Sequence, residues 1–181
     1  MKRLLKSGPM LVLAGALVAS AAASDEPNAE EQQKRQEEVA TALLEMSRLQ
    51  TPFDYVGYKI SGGVVVLEGF CTKAVIKGDS EKAVRELDWV THVVNEIDFT
   101  PADPTGNDIR QETLSILRKG LPQAFPANYA NIRIKVDSAY NVTLVGVMAP
   151  GDEKRLEASI VRINHLPLVK GVDNQVVAKK K

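Results

Sequence analysis

The sequence is short of the residues that usually carry chemistry. Of its 181 residues one is cysteine, two are histidine, one is tryptophan, and only 5% are aromatic. Cys71 has no partner for an intramolecular disulfide, which excludes a disulfide-stapled scaffold. Neither His92 nor His165 has a cysteine or second histidine at metal-ligand spacing. An excess of either charge is also missing, since 23 basic and 23 acidic residues cancel. A general nucleic-acid binder needs a concentrated basic face and is excluded on that ground. No Gly-x-Ser-x-Gly elbow, phosphate loop or dinucleotide fingerprint occurs. Twelve glycines and nine prolines are too few for a low-complexity chain, and 44% hydrophobic residues suit a folded one.

The carboxylate pairs Glu37–Glu38, Asp152–Glu153 and Glu81 with Glu86 fall on predicted helix surfaces or first turns. There Asp79, Glu81, Asp152 and Glu153 complement a helix dipole, whereas acid–base work needs two carboxyls converging in a cleft. No catalytic residue, metal ligand or cofactor is therefore assigned, and the expectation is a non-enzymatic protein.

What is present begins with Lys2, Arg3 and Lys6 ahead of an apolar run from Met10 to Ala23 that ends in three alanines before Ser24. This is the layout of a secretory signal peptide over residues 1–23, with a retained anchor as the alternative. No cysteine ends the run, so lipoprotein processing has nothing to acylate. Cleavage after Ala23 leaves 20 basic against 23 acidic residues, a net charge of −3.

The remainder reads as one pattern twice. The stretch Ala29 to Gln50, free of Pro and Gly, predicts a helix with Val39, Leu43 and Met46 inward. Tyr55–Ile60 and Val64–Leu67 flank Gly62-Gly63 as a hairpin, with Gly69 placed for a bend or a close backbone approach. A short helix capped by Asp79 or Ser80 and ending near Asp88 precedes a strand from Val90 to Phe99. After a boundary at Pro101 to Gly106 the order recurs: a helix at 107–119, strands near 132–136 and 142–147, a helix near 152–164 and a strand near 169–177. Val65-Val66-Leu67-Glu68-Gly69 aligns with Val142-Thr143-Leu144-Val145-Gly146, and Val93-Val94-Asn95-Glu96-Ile97 with Val172-Asp173-Asn174-Gln175-Val176.

A V-x-L-x-G hairpin, a helix, and a V-x-x-V-x-N-x-I/V strand, present in both copies, resemble the BON domain, the module named for bacterial osmotic-stress and nodulation proteins. The resemblance implies an α+β fold: two tandem αββαβ domains, each of two helices packed on a mixed three-stranded sheet, at 29–100 and 107–178. It further implies a periplasmic protein associated with envelope integrity or osmotic stress and, in some members, phospholipid binding. Where the family commonly has Gly before the first Val of the last strand, this chain has Trp89 and Leu168.

Aromatic side chains near the connections then become the candidate surface. Trp89 precedes a strand, while Phe125 and Tyr129 follow the basic pair Arg118 and Lys119. A ring beside two cations suits peripheral, rather than integral, contact with anionic phospholipid. The alternative is docking of an envelope protein through a sheet face or an edge of the valine-rich strands, or self-association.

Overall fold

The structure, a computed structural model, describes residues 28–46, 51–100, 103–126 and 129–179. The signal peptide expected at 1–23 lies outside the described residues. Helix α1 (Ala29–Leu44) starts where the Asn28 side chain accepts the Glu31 N–H at 2.8 Å, and acidic Glu30 and Glu31 occupy its first turn. Val39 and Leu43, four apart, turn its buried stripe inward. The chain then enters β1 (Tyr55–Ser61), turns through Gly62 at φ +57°, and returns as β2 (Val64–Cys71). Helix α2 (Ala74–Arg85) carries it over to β3 (His92–Phe99), which runs parallel to β2.

The second unit repeats this order: α3 (Pro104–Gly120), β4 (Ile132–Val136), β5 (Asn141–Met148), α4 (Glu153–Asn164) and β6 (Gly171–Ala178). Each sheet has its hairpin-plus-crossover order, β1-β2-β3 and β4-β5-β6, with one antiparallel and one parallel pairing. The fold is α+β, two αββαβ units of mixed three-stranded sheets with helices on one face. One core gathers Val39, Leu43, Val65, Leu67, Ile76 and Val84. The other gathers Leu114, Leu117, Ile134, Leu144, Leu156 and Ile163.

Gly69 and Gly146 show why the repeated motif ends in glycine. Gly69 pairs with Val56 and Ile97, and Gly146 with Ile132 and Val176, so they hold the same node of each sheet. Their φ angles are +126° and +139°, a region open to glycine alone at low cost. A Cβ there collides with Tyr55 O in the first unit and Asn131 O in the second. The close backbone approach expected at Gly69 is present.

Three of the helices have an end that differs from the sequence reading, and β3 starts at His92 rather than Val90. Helix α1 ends at Leu44, where the Glu45 N–H closes on Thr41 O, so the helix expected to Gln50 is shorter; residues 47–50 lie outside the described ones. Helix α2 begins at Ala74 with no side-chain cap from Lys73, so Gly78, Asp79 and Ser80 are interior residues rather than a link and a cap. The earlier start carries Ile76 into the core, and Ser80 Oγ settles its polarity by donating to Ile76 O at 2.7 Å. The dipole role expected of Asp79 and Glu81 falls away with that shift, whereas Asp152 and Glu153 do sit at the start of α4. Helix α3 begins at Pro104 rather than Asn107, because Asp103 accepts the Gly106 N–H at 2.8 Å and proline fits a first-turn position.

The units meet along β4. The Ile134 N–H donates to Pro52 O at 2.7 Å, and Phe53 packs against the second core. Lys135 Nζ meets Asp98 at 2.5 Å. Arg110, 2% exposed, donates through Nη2 to Val136 O at 3.1 Å and reaches Thr100 O at 3.5 Å.

Candidate functional site

The five residues singled out in the sequence have different surroundings. Trp89 packs against the first core, donates from Nε1 to Glu38 Oε2 at 2.7 Å, and carries the Arg35 guanidinium 5.0 Å from its ring centroid. Arg35 is itself bonded to Glu31 at 2.6 Å. Such a ring is a lid on the first core. Phe125 ends the short turn after α3 and packs against the second core. Arg118 and Lys119 remain exposed on the last turn of α3, where cations complement the helix C-terminus. Tyr129 is 54% exposed.

Tyr129 stands at a groove of about 690 Å³ between the two units. One wall is the outer face of the second sheet, where Arg133, Val145, Val147 and Val177 point away from the helices. The opposite wall is Leu43 and Leu44 of α1 with Tyr55, Val56 and Tyr58 of β1. Leu44 at 73% exposure, Val177 at 59% and Tyr129 leave this groove apolar and open to water. Its size lies within the roughly 300–1,000 Å³ usual for ligand sites. An uncovered apolar concavity of this kind marks an interaction site more often than an accident of packing.

Sequence reasoning missed Leu44, Arg133, Val147 and Val177. A signal was present: β5 reads Val142, Val145, Val147 with valine on both faces, where a strand with one solvated face alternates with polar residues. The partner wall, contributed by α1 of the other unit, leaves no mark in the local pattern.

The groove's electrostatics come from its inner end. Asp54, 2% exposed, accepts from the Thr72 N–H at 2.7 Å and from Thr72 Oγ1 at 2.9 Å, and also holds the Thr51 hydroxyl. Arg133 donates to Thr51 O, and burial lowers its pKa against the pull of Asp54 and Tyr55. Among the described residues no carboxylate lies within ion-pairing distance of Arg133. Burial likewise lowers the pKa of Arg110, opposed by Asp103 and Asp54. Cys71 is fully buried, and its thiol is pushed up by burial and by Asp54.

His92 opens β3 and His165 caps the C-terminus of α4, both exposed, with His165 Nδ1 2.6 Å from Val161 O. Among the described residues no three His, Cys, Asp or Glu side chains converge as a metal cluster. No described helix is long and apolar enough to cross a membrane.

Comparison with known proteins finds no matching family model and no matching curated protein. Among solved structures the chain is similar to CdsD, a structural protein of the type III secretion system of Chlamydia trachomatis, at 11% identity and a TM-score of 0.31, over 81% of this chain and 92% of that one. A structure of the C-terminal domain of CdsD is similar at 13% identity and a TM-score of 0.29, over 80% and 96%. Likeness at that level assigns no function.

Proposed function

We propose that the protein is a periplasmic, non-enzymatic pair of BON-like domains that docks an envelope protein through the groove between its two units. The repeated hairpin and strand motifs and the exported layout support the family and the compartment. The observation that carries the docking reading is the groove itself, an uncovered apolar cleft with one cation free of a carboxylate partner among the described residues. A photoreactive amino acid at Tyr129, exposed at the groove's rim, tests it in intact envelopes. Crosslinking of one protein in stoichiometric yield, unchanged by lipid depletion, is the expected result; crosslinks to lipid alone defeat it.

A second reading keeps phospholipid as the partner, because Arg118 and Lys119 stand exposed together on α3. Each cation near an anionic surface contributes about 1 kcal/mol. Co-sedimentation with anionic but not neutral vesicles, abolished by high salt and by the pair Arg118→Ala and Lys119→Ala, is its expected result. Binding that survives both changes removes it.

A further inference from the structure

Among the described residues four strands stand at sheet edges, and three of them carry a guard on at least one outward main-chain group. On β3, Ile97 turns its N–H and its carbonyl outward; Asn95 Oδ1 accepts the N–H at 3.3 Å and Lys77 Nζ donates to the carbonyl at 2.7 Å. On β6, Asn174 Oδ1 accepts the Val176 N–H at 3.1 Å in the same way. On β4, Pro52 O takes the Ile134 N–H, and Arg110 takes the Val136 carbonyl. Each device fills a main-chain position that another strand would need.

The fourth edge is β1, which pairs only with β2. Among the described residues no group outside its hairpin hydrogen-bonds the β1 main chain, and the strand lies along the apolar groove through Tyr55, Val56 and Tyr58. An open edge beside open apolar walls is what strand addition requires: the main chain binds the edge while alternate side chains enter the cleft. Seven residues of β1 offer about 23 Å of edge at roughly 3.3 Å per residue. Opposite that edge stands Arg133, whose guanidinium no described carboxylate pairs. A negative side chain on the incoming segment therefore finds a cation that Asp54, buried at the groove's inner end and held by Thr72 and Thr51, offsets only in part.

We infer that β1 receives an extended segment of a partner protein as a fourth strand of the first sheet, with apolar side chains alternating into the groove and an acidic one facing Arg133. This rests on the docking reading above and names its mode.

The test uses a fluorescent peptide of the seven-residue length of β1, alternating valine and threonine around a central glutamate, titrated into the whole purified protein. Saturable binding, with slowed amide exchange along β1, is expected. N-methylation of the amides on one edge of the peptide should weaken binding by about tenfold or more, and on the other edge hardly at all. Leu44→Glu and Val177→Glu, both at exposed positions that leave the cores intact, should weaken it similarly. Replacing the central glutamate by lysine should weaken it further still. Absence of peptide binding, equal tolerance of N-methylation on both edges, or exchange protection away from β1 each overturn strand addition. If the Leu44→Glu protein still crosslinks the same envelope protein from Tyr129, strand addition falls while the docking reading stands.

Discussion

Single residues in this protein hold backbone geometries that other side chains cannot. Gly146→Ala places a methyl on Asn131 O at a φ of +139°, so the hairpin must open. A loss of about 3 kcal/mol or more is expected in chemical denaturation, from strain and the broken strand pair together. Leu168 presents the converse case, a leucine at φ +68° and exposed. Left-handed backbone costs a non-glycine residue about 1–2 kcal/mol, so Leu168→Gly should raise the unfolding free energy measured in chemical denaturation by up to about 1 kcal/mol after glycine's own entropy. A glycine at this position would meet the same backbone conformation without that cost. Trp89, its counterpart in the first, is not in that region.

Asp137 supplies a pH dependence. Burial works against its charge, but the side chain and N–H of Asn141 and the N–H of Ala139 all donate to the carboxylate and hold its pKa below the ordinary value. A depressed folded value means that its contribution is present above the unfolded pKa near 3.9 and is lost as pH falls through the lower folded one. Asp137→Asn should cost about 1 kcal/mol at neutral pH and flatten the acid limb of stability below about pH 4, read by urea titration across pH 2–7. An unchanged acid limb removes this assignment.

At the scale of elements, the repeated asparagine of the last strand is a guard rather than a ligand. Asn95 is anchored to Lys77 O at 2.9 Å and Glu81 at 3.1 Å while it covers Ile97 N–H, so its orientation is held by the neighbouring helix. Asn95→Ala together with Lys77→Ala uncovers both outward groups of Ile97 on the β3 edge and should produce concentration-dependent self-association in light scattering with little loss of helix signal. A variant that stays monomeric at every concentration refutes the guard role. Ser80 and Ser159 show a matching economy, each the seventh residue of its helix, buried, and donating to the carbonyl four residues back. The element order was legible from period and turn residues because those are local quantities. The start of α2 was not: Gly78, Asp79 and Ser80 read locally as a break, and only the burial of Ile76 and Val84 against the sheet outweighs that preference.

For the whole molecule, Arg110 is one of the ties between the units. It spans from the end of the first unit at Thr100 to the edge of the second at Val136, and its Nε has no partner among the described residues. Arg110→Ala leaves both carbonyls without this donor and should cost about 1–3 kcal/mol, with thermal unfolding resolving into two transitions as the units uncouple. Arg110→Lys keeps a charge but loses the fork, and should recover only part of that loss. A variant that melts in one unshifted transition shows that other contacts hold the units.

The sequence by itself determined the repeated αββαβ order, the inward stripe of Val39 and Leu43 on α1 and the glycine at the sheet node, because hydrophobic period, turn chemistry and backbone freedom act within a few residues of one another. Only the tertiary structure decided that Trp89 and Phe125 close cores, that Leu44 and Val177 stand across one groove, and that among the described residues no group outside its hairpin hydrogen-bonds the β1 main chain. Those facts depend on how one unit lies against the other, through Pro52, Lys135, Asp98 and Arg110. Contacts between residues far apart in the chain leave no periodic trace in either segment.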